Sequence, residues 1–572
     1  MSRGLTLVPL VLIASLAPLC SVQAQLASAT QAGQVPGAAQ MLRDLPPQTD
    51  MPALPALAPL APLTPLAATQ AAPEPSFVLK QVQVRGATAL TPQRIAQTAE
   101  PFIGKTLSDQ DLGALVAALR QRYDSIGLML VKVGFPTQDV SKGLLTLDVV
   151  EPTLARITLP QGEGAPITSD RVQGLLSFFD VKAGGLLNTS ALERVMFALN
   201  DTPGVQAKAA LTPAGDEGVY NLSIALQARR AWDASLAEDN QGVVYAGRWR
   251  TTALARLNNP LGIGDNLDFQ GLLSNSAGVK VGRLAYELPV GYTPARLSVA
   301  YAKVGYSLAG DFADLEAHGT ARVLESNLSY PLIRSRTRTL MARVGAESKG
   351  LVDKLDAFES RSDKRILGVV AGLNYESRDN AMGGGFNGAS VQFHWGHLRI
   401  RSEADQVYDA SLGDYGTAGR FGKVELQYSR LQSVGRALSL YANVSQQLAT
   451  RNLDPAEKIS LGGPRGVRAY PTAEGASDEA TLLTSELRYW VNRNLTVFAL
   501  YDWAKGQLKR DGNPADLSDN HIQLHGAGVG LVATYPDWVT VKATLAWRGQ
   551  RRAESEPSND KPRLYVQALH TF

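Results

Sequence analysis

From Arg229 to Phe572 the chain repeats one grammar, in which runs with an apolar residue at every second position are separated by two alternating kinds of connector. The short kind is rich in Pro, Gly and Asn and covers residues 259–265, 288–294, 330–336, 382–388, 433–436, 492–494 and 535–538. The longer, polar kind covers 239–247, 307–319, 349–363, 401–416, 451–478, 506–520 and 550–561. A period of two belongs to a strand with unlike faces. Strict alternation of tight turns with long loops places all turns at one end of an antiparallel sheet and all loops at the other, as an up-and-down outer-membrane barrel needs. Counting the runs, with one weak hairpin near Ser274, gives about sixteen strands, an even number as bacterial single-chain barrels require. No helix is expected in this part of the chain.

The faces support that architecture. In the penultimate strand Val539, Val541, Ala543, Leu545 and Trp547 fall on one side, and Thr540, Lys542, Thr544 and Arg548 on the other. The apolar side is expected to meet lipid, because a charge there costs about 2–4 kcal/mol at the bilayer midplane. The chain ends on Leu564, Val566, Ala568, His570 and Phe572, all on one face.

The N-terminus has the parts of an exported protein. Arg3 precedes an apolar run and then Val22-Gln23-Ala24, which predicts a signal peptide over residues 1–24. Cleavage there removes Cys20, the single cysteine, so neither disulfides nor a cysteine nucleophile are expected. No later stretch is long and apolar enough for a transmembrane helix. Residues 25–75 hold Pro52, Pro55, Pro59, Pro62 and Pro65, a density that favours an extended spacer. Only Gly37 to Leu45 has the composition of a short helix. A net charge of +3 and 19% charged residues argue against a nucleic-acid surface.

Two similar units lie between spacer and barrel. In residues 76–151 a strand around Val82 and Val84 is followed by a helix over 108–123, with Ser108-x-x-Asp111 as capping box and Leu112, Leu115, Val116, Leu119 and Tyr123 as its buried stripe. Strands over 128–133 and 144–150 follow. In residues 152–228 the order recurs: a strand over 155–159, helices over 171–179 and 190–199, and strands over 205–211 and 219–226. The second of those helices is expected to be capped by Ser190-x-x-Glu193. Any small α/β domain has this order; two in tandem ahead of a barrel narrow the choice.

The loop over 451–478 contains Leu461-Gly462-Gly463-Pro464-Arg465-Gly466-Val467-Arg468-Ala469-Tyr470-Pro471. A connector this long between strands is usually functional or disordered, and an Arg set between Val and Tyr does not suit disorder. Val467-Arg468-Ala469-Tyr470 resembles the Val-Arg-Gly-Tyr/Phe signature of Omp85-superfamily barrels, within the two-partner secretion transporters (TpsB) that export haemolysins and filamentous adhesins. The 259–265 turn resembles one common in the same barrels. Ala469 stands where the family has Gly; if that position needs positive φ, Ala fits it poorly and the loop tip differs.

The resemblance implies a 16-stranded antiparallel outer-membrane β-barrel over 229–572, preceded by two periplasmic POTRA domains. It also implies a large secreted exoprotein as cargo, an N-terminal helix in the pore, and a terminal Phe572 read by the barrel assembly machinery. The signature residues Gly466, Val467, Arg468, Ala469 and Tyr470 are expected to fold into the lumen, where an Asp of the wall holds the Arg. By the period of two Asp502 shares the lumen face with Thr496 and is the first choice of partner; Glu486 is the second. The alternative leaves Arg468 solvated on an outer loop. At the level of function, a barrel-assembly insertase and a passive porin stay as alternatives.

Other chemistries are weak. Gly383-x-Gly385-x-x-Gly388 is followed by a strand and is read as a turn. His394 and His397 fall on opposite strand faces. His521 and His525 share a face, expected to be the lumen, without a third ligand nearby. No cofactor, metal, catalytic residue or nucleic-acid partner is expected, and the protein is expected to be a monomer in outer-membrane lipid.

Overall fold

A computed structural model describes residues 35–43, 77–159, 164–512, 520–536, 538–556 and 562–572. The signal peptide predicted over 1–24 and most of the spacer lie outside the described residues.

Strand β1 (Gln81–Arg85), helices α2 (Pro92–Ala99) and α3 (Asp109–Ser125), and strands β2 (Lys132–Gly134) and β3 (Leu144–Val150) make the first unit; α1 is the earlier helix Ala38–Arg43. The sheet order is β1-β3-β2, with β1 parallel to β3. The Ser108–Asp111 capping box forms in both directions, and its hydrogen bonds hold the Asp111 carboxyl below the usual carboxylate range. Strand β2 is shorter than the 128–133 expected, because the Leu128 N–H donates to Tyr123 O (2.9 Å) and that segment closes α3 instead.

The second unit repeats the plan with β4 (Thr153–Thr158), α4 (Ser169–Phe178), α5 (Thr189–Asn200), β5 (Val205–Pro213) and β6 (Val219–Ala228), in sheet order β4-β6-β5. The cap of α5 is Asn188, not Ser190: the Asn188 side chain accepts from Ala191 N (2.9 Å) and donates to Ile126 O (3.0 Å). One side chain therefore caps a helix and ties the two units together. A capping pattern read locally has no view of that second task.

The barrel strands are β7 (Trp232–Asp239), β8 (Arg250–Asn258), β9 (Asn266–Ser274), β10 (Val279–Pro289), β11 (Arg296–Ser307), β12 (Ala317–Arg334), β13 (Arg338–Leu355) and β14 (Ser360–Asp379). They continue as β15 (Gly385–Ile400), β16 (Gly419–Ser433), β17 (Leu438–Ala449), β18 (Glu479–Trp490), β19 (Leu495–Gln507), β20 (His521–Tyr535), β21 (Val539–Arg548) and β22 (Arg563–Thr571). Each pairs antiparallel with its chain neighbour, and β22 pairs with β7 to close the cylinder. Closure removes both sheet edges, which a lipid-embedded sheet cannot leave unpaired.

Outward residues such as Leu324, Trp395, Tyr428, Leu440 and Val529 are 45–55% exposed on the isolated chain, since lipid is what covers them.

Three expectations are corrected here. The connector over 349–363 is mostly strand, since β13 runs to Leu355 and β14 starts at Ser360. Its charges looked loop-like, but Lys349 and Asp353 point inward to buried partners. A helix also occurs in the barrel part, α6 (Glu403–Ser411), opened by a Ser402 hydroxyl that donates to Asp405 (2.5 Å). Lastly, His521 and His525 face outward, because their neighbours Ile522, Leu524 and Gly526 are the buried, inward ones. The period of two fixed the shared face of the two histidines but not which face it was.

The second unit sits on the short-turn end of the barrel. Arg334 makes paired hydrogen bonds to Asp201 (2.8 Å each) and lies 4.8 Å from the Phe197 ring centroid. Arg336 donates to Glu193 (2.8 Å), Arg171 to Gly291 O (2.7 Å) and Asn259 to Pro166 O (2.5 Å).

Candidate functional site: the loop inside the barrel

The 451–478 loop lies within the cylinder. Its core is packed as tightly as a domain interior: Leu461, Val467, Ala469 and Tyr470 are at most 2% exposed. They rest on Leu482 of β18, Phe498 and Leu500 of β19, Ile522 and Leu524 of β20 and Ala546 of β21. The wall under the loop is thus apolar, where a wholly polar lumen would be the simple expectation for such a barrel. A second apolar patch on the opposite wall, including Val304, Ala321, Leu351, Ile366 and Leu398, receives α1.

Arg468 is the polar centre of the docked loop. Its guanidinium grips Asp502 with Nε to Oδ2 (2.8 Å) and Nη2 to Oδ1 (2.7 Å), while its own backbone N–H donates to Oδ2 (3.1 Å). Nη1 donates to Glu486, whose other oxygen accepts from Arg488 (2.7 Å). Arg488 in turn lies 4.7 Å from the Tyr441 ring centroid. Two cations and two carboxylates alternate, so the buried group is neutral overall. Fork-to-fork pairing supplies both strength and direction. Asp502 is fully buried and Arg468 and Glu486 nearly so, which makes each partner costly to remove alone.

Glycine permits the fit at two points. A Cβ on Gly466 would come 2.1 Å from Leu461 O, so the turn before Val467 closes only with Gly there. On the wall, a Cβ on Gly526 would lie 2.5 Å from the Ala469 Cβ. The Ala469 methyl is accommodated because the strand facing it has none. Ala469 itself is not in the left-handed region; positive φ falls instead on Ala473 (+72°). The substitution at the signature therefore carries no backbone strain.

The loop is tied on every side. Lys349 of β13 donates to Glu457 (2.6 Å) and Lys423 of β16 lies 3.2 Å from the same carboxylate. Lys364 of β14 donates to Asp454 (3.1 Å), and the Tyr565 hydroxyl of β22 donates to Tyr470 O (2.9 Å). Glu474 accepts from the backbone of Glu554 (2.7 Å) and Ser555 (3.0 Å). The alternation of β13 to β16 contained these inward lysines, but only the fold says what they meet. Below the loop lies a lumen cavity of about 660 Å³, lined by Asp239, Arg256, Asp268, Arg343 and Lys542, with Pro464 and Arg465 of the loop as its roof.

Helix α1 enters the same lumen. Ala38, Ala39 and Met41 are buried, Ala38 N donates to Asp353 Oδ1 (2.7 Å), and the Tyr306 hydroxyl donates to that oxygen (2.5 Å). The C-terminal Phe572 is exposed on the outer face beside His570, with ring centroids 4.4 Å apart, and its backbone N–H donates to Ala234 O (2.9 Å). Among the described residues no cluster of His, Cys, Asp or Glu has the arrangement of a metal site.

Comparison with known proteins adds the family. The heme/hemopexin transporter protein HuxB of Haemophilus influenzae is 24% identical over 504 residues, covering 87% of each chain. The outer membrane transporter CdiB of Escherichia coli is 25% identical over 496 residues, 83% of this chain and 82% of that one. The solved structure of E. coli CdiB superposes with a TM-score of 0.71 at 22% identity, over 90% of this chain and 94% of that one, and speaks for the fold. Residues 77–152 match the POTRA domain of ShlB type. Residues 218–533 match the haemolysin secretion/activation protein family ShlB/FhaC/HecB, so the chain belongs to that family of outer-membrane transporters, with its barrel in the outer membrane and its POTRA region in the periplasm.

Proposed function

We propose that this chain binds an unfolded exported protein in the periplasm with residues 76–228 and passes it through the barrel to the cell surface. Docking of Arg468 between Asp502 and Glu486 carries the reading, since a loop fixed this firmly in a lumen sets the resting state of a conduit. Capture fits β-augmentation, in which an extended segment of cargo adds to an exposed sheet edge through its backbone and so needs no particular sequence. HuxB is named for heme/hemopexin transport. On that likeness the cargo is one large secreted protein of the haemolysin or adhesin type. Phe572 serves as the signal read by the barrel assembly machinery, the chain works as a monomer, and no catalytic step is involved.

Two α/β units fill residues 76–228, fewer than a barrel-assembly insertase typically carries, and a passive porin has no use for them or for a pinned loop. The test is Arg468→Ala in the full chain, with secretion of the cargo and single-channel conductance as readouts. Lower secretion or altered conductance from a normally inserted barrel is expected. Unchanged secretion and conductance would overturn the proposal.

A further inference from the structure

The lipid face of the barrel carries a row of charge that the transport reading does not use. The strand register sets Lys303 of β11 opposite Arg322 of β12, Arg322 opposite Gly350 of β13, Gly350 opposite Arg365 of β14, and Arg365 opposite Arg399 of β15. All four cations are exposed, and among the described residues none of them is ion-paired with a carboxylate. Among the described residues the one hydrogen bond of their side chains is a long one, Arg365 to Ser348 Oγ (3.5 Å). On the same face of β14, Asp363 lies beside Arg361 at 3.4 Å. Like charges directly opposite on a ladder repel, so the row is unfavourable unless an anion lies against it.

Position says what that anion is. One step toward the periplasmic end, the outward residues become Tyr301, Leu324, Leu367 and, beyond His397, Trp395, exposed by 47%, 51%, 47% and 55%. Those side chains belong to the hydrocarbon band, and the cations lie just beyond it on the side of the long loops. That is the headgroup level of the outer leaflet. Gly350 leaves a notch in the row: a Cβ there would meet nothing within 4 Å. Strands are about 4.8 Å apart, so Arg322 and Arg365 flank this notch at roughly twice that spacing. Guanidinium groups pair with phosphate oxygens two at a time.

We propose that the notch at Gly350, with Lys303, Arg322, Arg365 and Arg399, binds the phosphate groups of a phosphorylated glycolipid of the outer leaflet. The site rests on the outer-membrane placement of the barrel and not on the loop or the cargo, so it stands or falls separately from them. The full chain in detergent is offered diphosphorylated lipid A and the same lipid without phosphates, and bound lipid is counted by native mass spectrometry. The expected preference for the phosphorylated form is at least about tenfold, in line with several basic groups acting at a membrane surface. The variant Lys303→Gln/Arg322→Gln/Arg365→Gln/Arg399→Gln is expected to lose it, while Arg493→Gln in a periplasmic turn keeps it. Equal retention of the two lipids by the unmodified chain overturns the proposal whether or not the variant folds. So does an unchanged preference in the folded variant, a loss in Arg493→Gln, or displacement of the lipid by inorganic phosphate at equal concentration, which would indicate a free-anion site.

Discussion

The smallest fit on which the docked loop depends is one methyl group against one glycine. Because a Cβ on Gly526 would sit 2.5 Å from the Ala469 Cβ, Gly526→Ala is expected to push the loop off the wall at a cost of about 1–3 kcal/mol, the usual range for overpacking. Closed-state conductance in planar bilayers should rise. Adding Ala469→Gly removes the opposing methyl and should restore most of the closed state, though the Trp547 carbonyl, 3.0 Å from the added Cβ, keeps the rescue incomplete. No rise in the single variant, or no rescue in the double, would show that the contact does not seat the loop. The period of two put Asp502 and Glu486 on the lumen face from the sequence alone. Which of them takes Arg468 was not legible there, because the register brings both to one guanidinium and spends the second oxygen of Glu486 on Arg488. The sequence also carries a mark of the docking wall, since Gly526, Gly528 and Gly530 alternate along β20 and glycine in a strand interior often marks close approach of other atoms.

Helix α1 shows how an element can exist only through what surrounds it. Six residues make too few turns to hold a helix in water, since nucleation costs more than so short a run returns. Its order comes from the wall: Ala38, Ala39 and Met41 meet the apolar patch around Val304 and Leu351, and Asp353 takes the Ala38 amide. Asp353→Ala removes a charge-assisted hydrogen bond of about 1.5–3 kcal/mol. Amide hydrogen exchange across residues 38–43 should then speed by tenfold or more, by the same arithmetic. Exchange at the unmodified rate would mean that packing alone holds the helix. The residues 37–45 were readable as helical because Pro is missing from them while crowding the rest of the spacer. Their place in the lumen was not, since the pattern of Ala38, Ala39 and Met41 is too short to show a face and their partners lie more than 250 residues on. Distant partners also hid the strand across 349–355: inward Leu351 belongs to the apolar patch that receives α1, while its inward neighbours Lys349 and Asp353 meet Glu457 and Ala38.

At the scale of the whole molecule, capture and conduction are useful together only if the periplasmic units face the pore in a defined way, and the contacts that set this are polar. Arg334 with Asp201, Arg336 with Glu193, and Arg171 with Gly291 O join the second unit to turns of the barrel, a composition typical of interfaces that can open. Arg334 is the centre of the set, since it also lies against Phe197. Replacing it by Glu sets a carboxylate against Asp201 and turns attraction into repulsion. Spin labels at Lys208 and Arg436 in the full chain would report the result as a distance distribution: narrow in the unmodified protein, broad in Arg334→Glu, narrow again when Asp201→Arg is added. The reversal restores charge without restoring the Phe197 contact, so a distribution slightly wider than the original is expected. Should Arg334→Glu leave the distances as they were, Arg336 and Arg171 hold the unit unaided; should the double variant stay as broad as the single, the loss is one of packing against Phe197, and the ion pair is not what orients the periplasmic units.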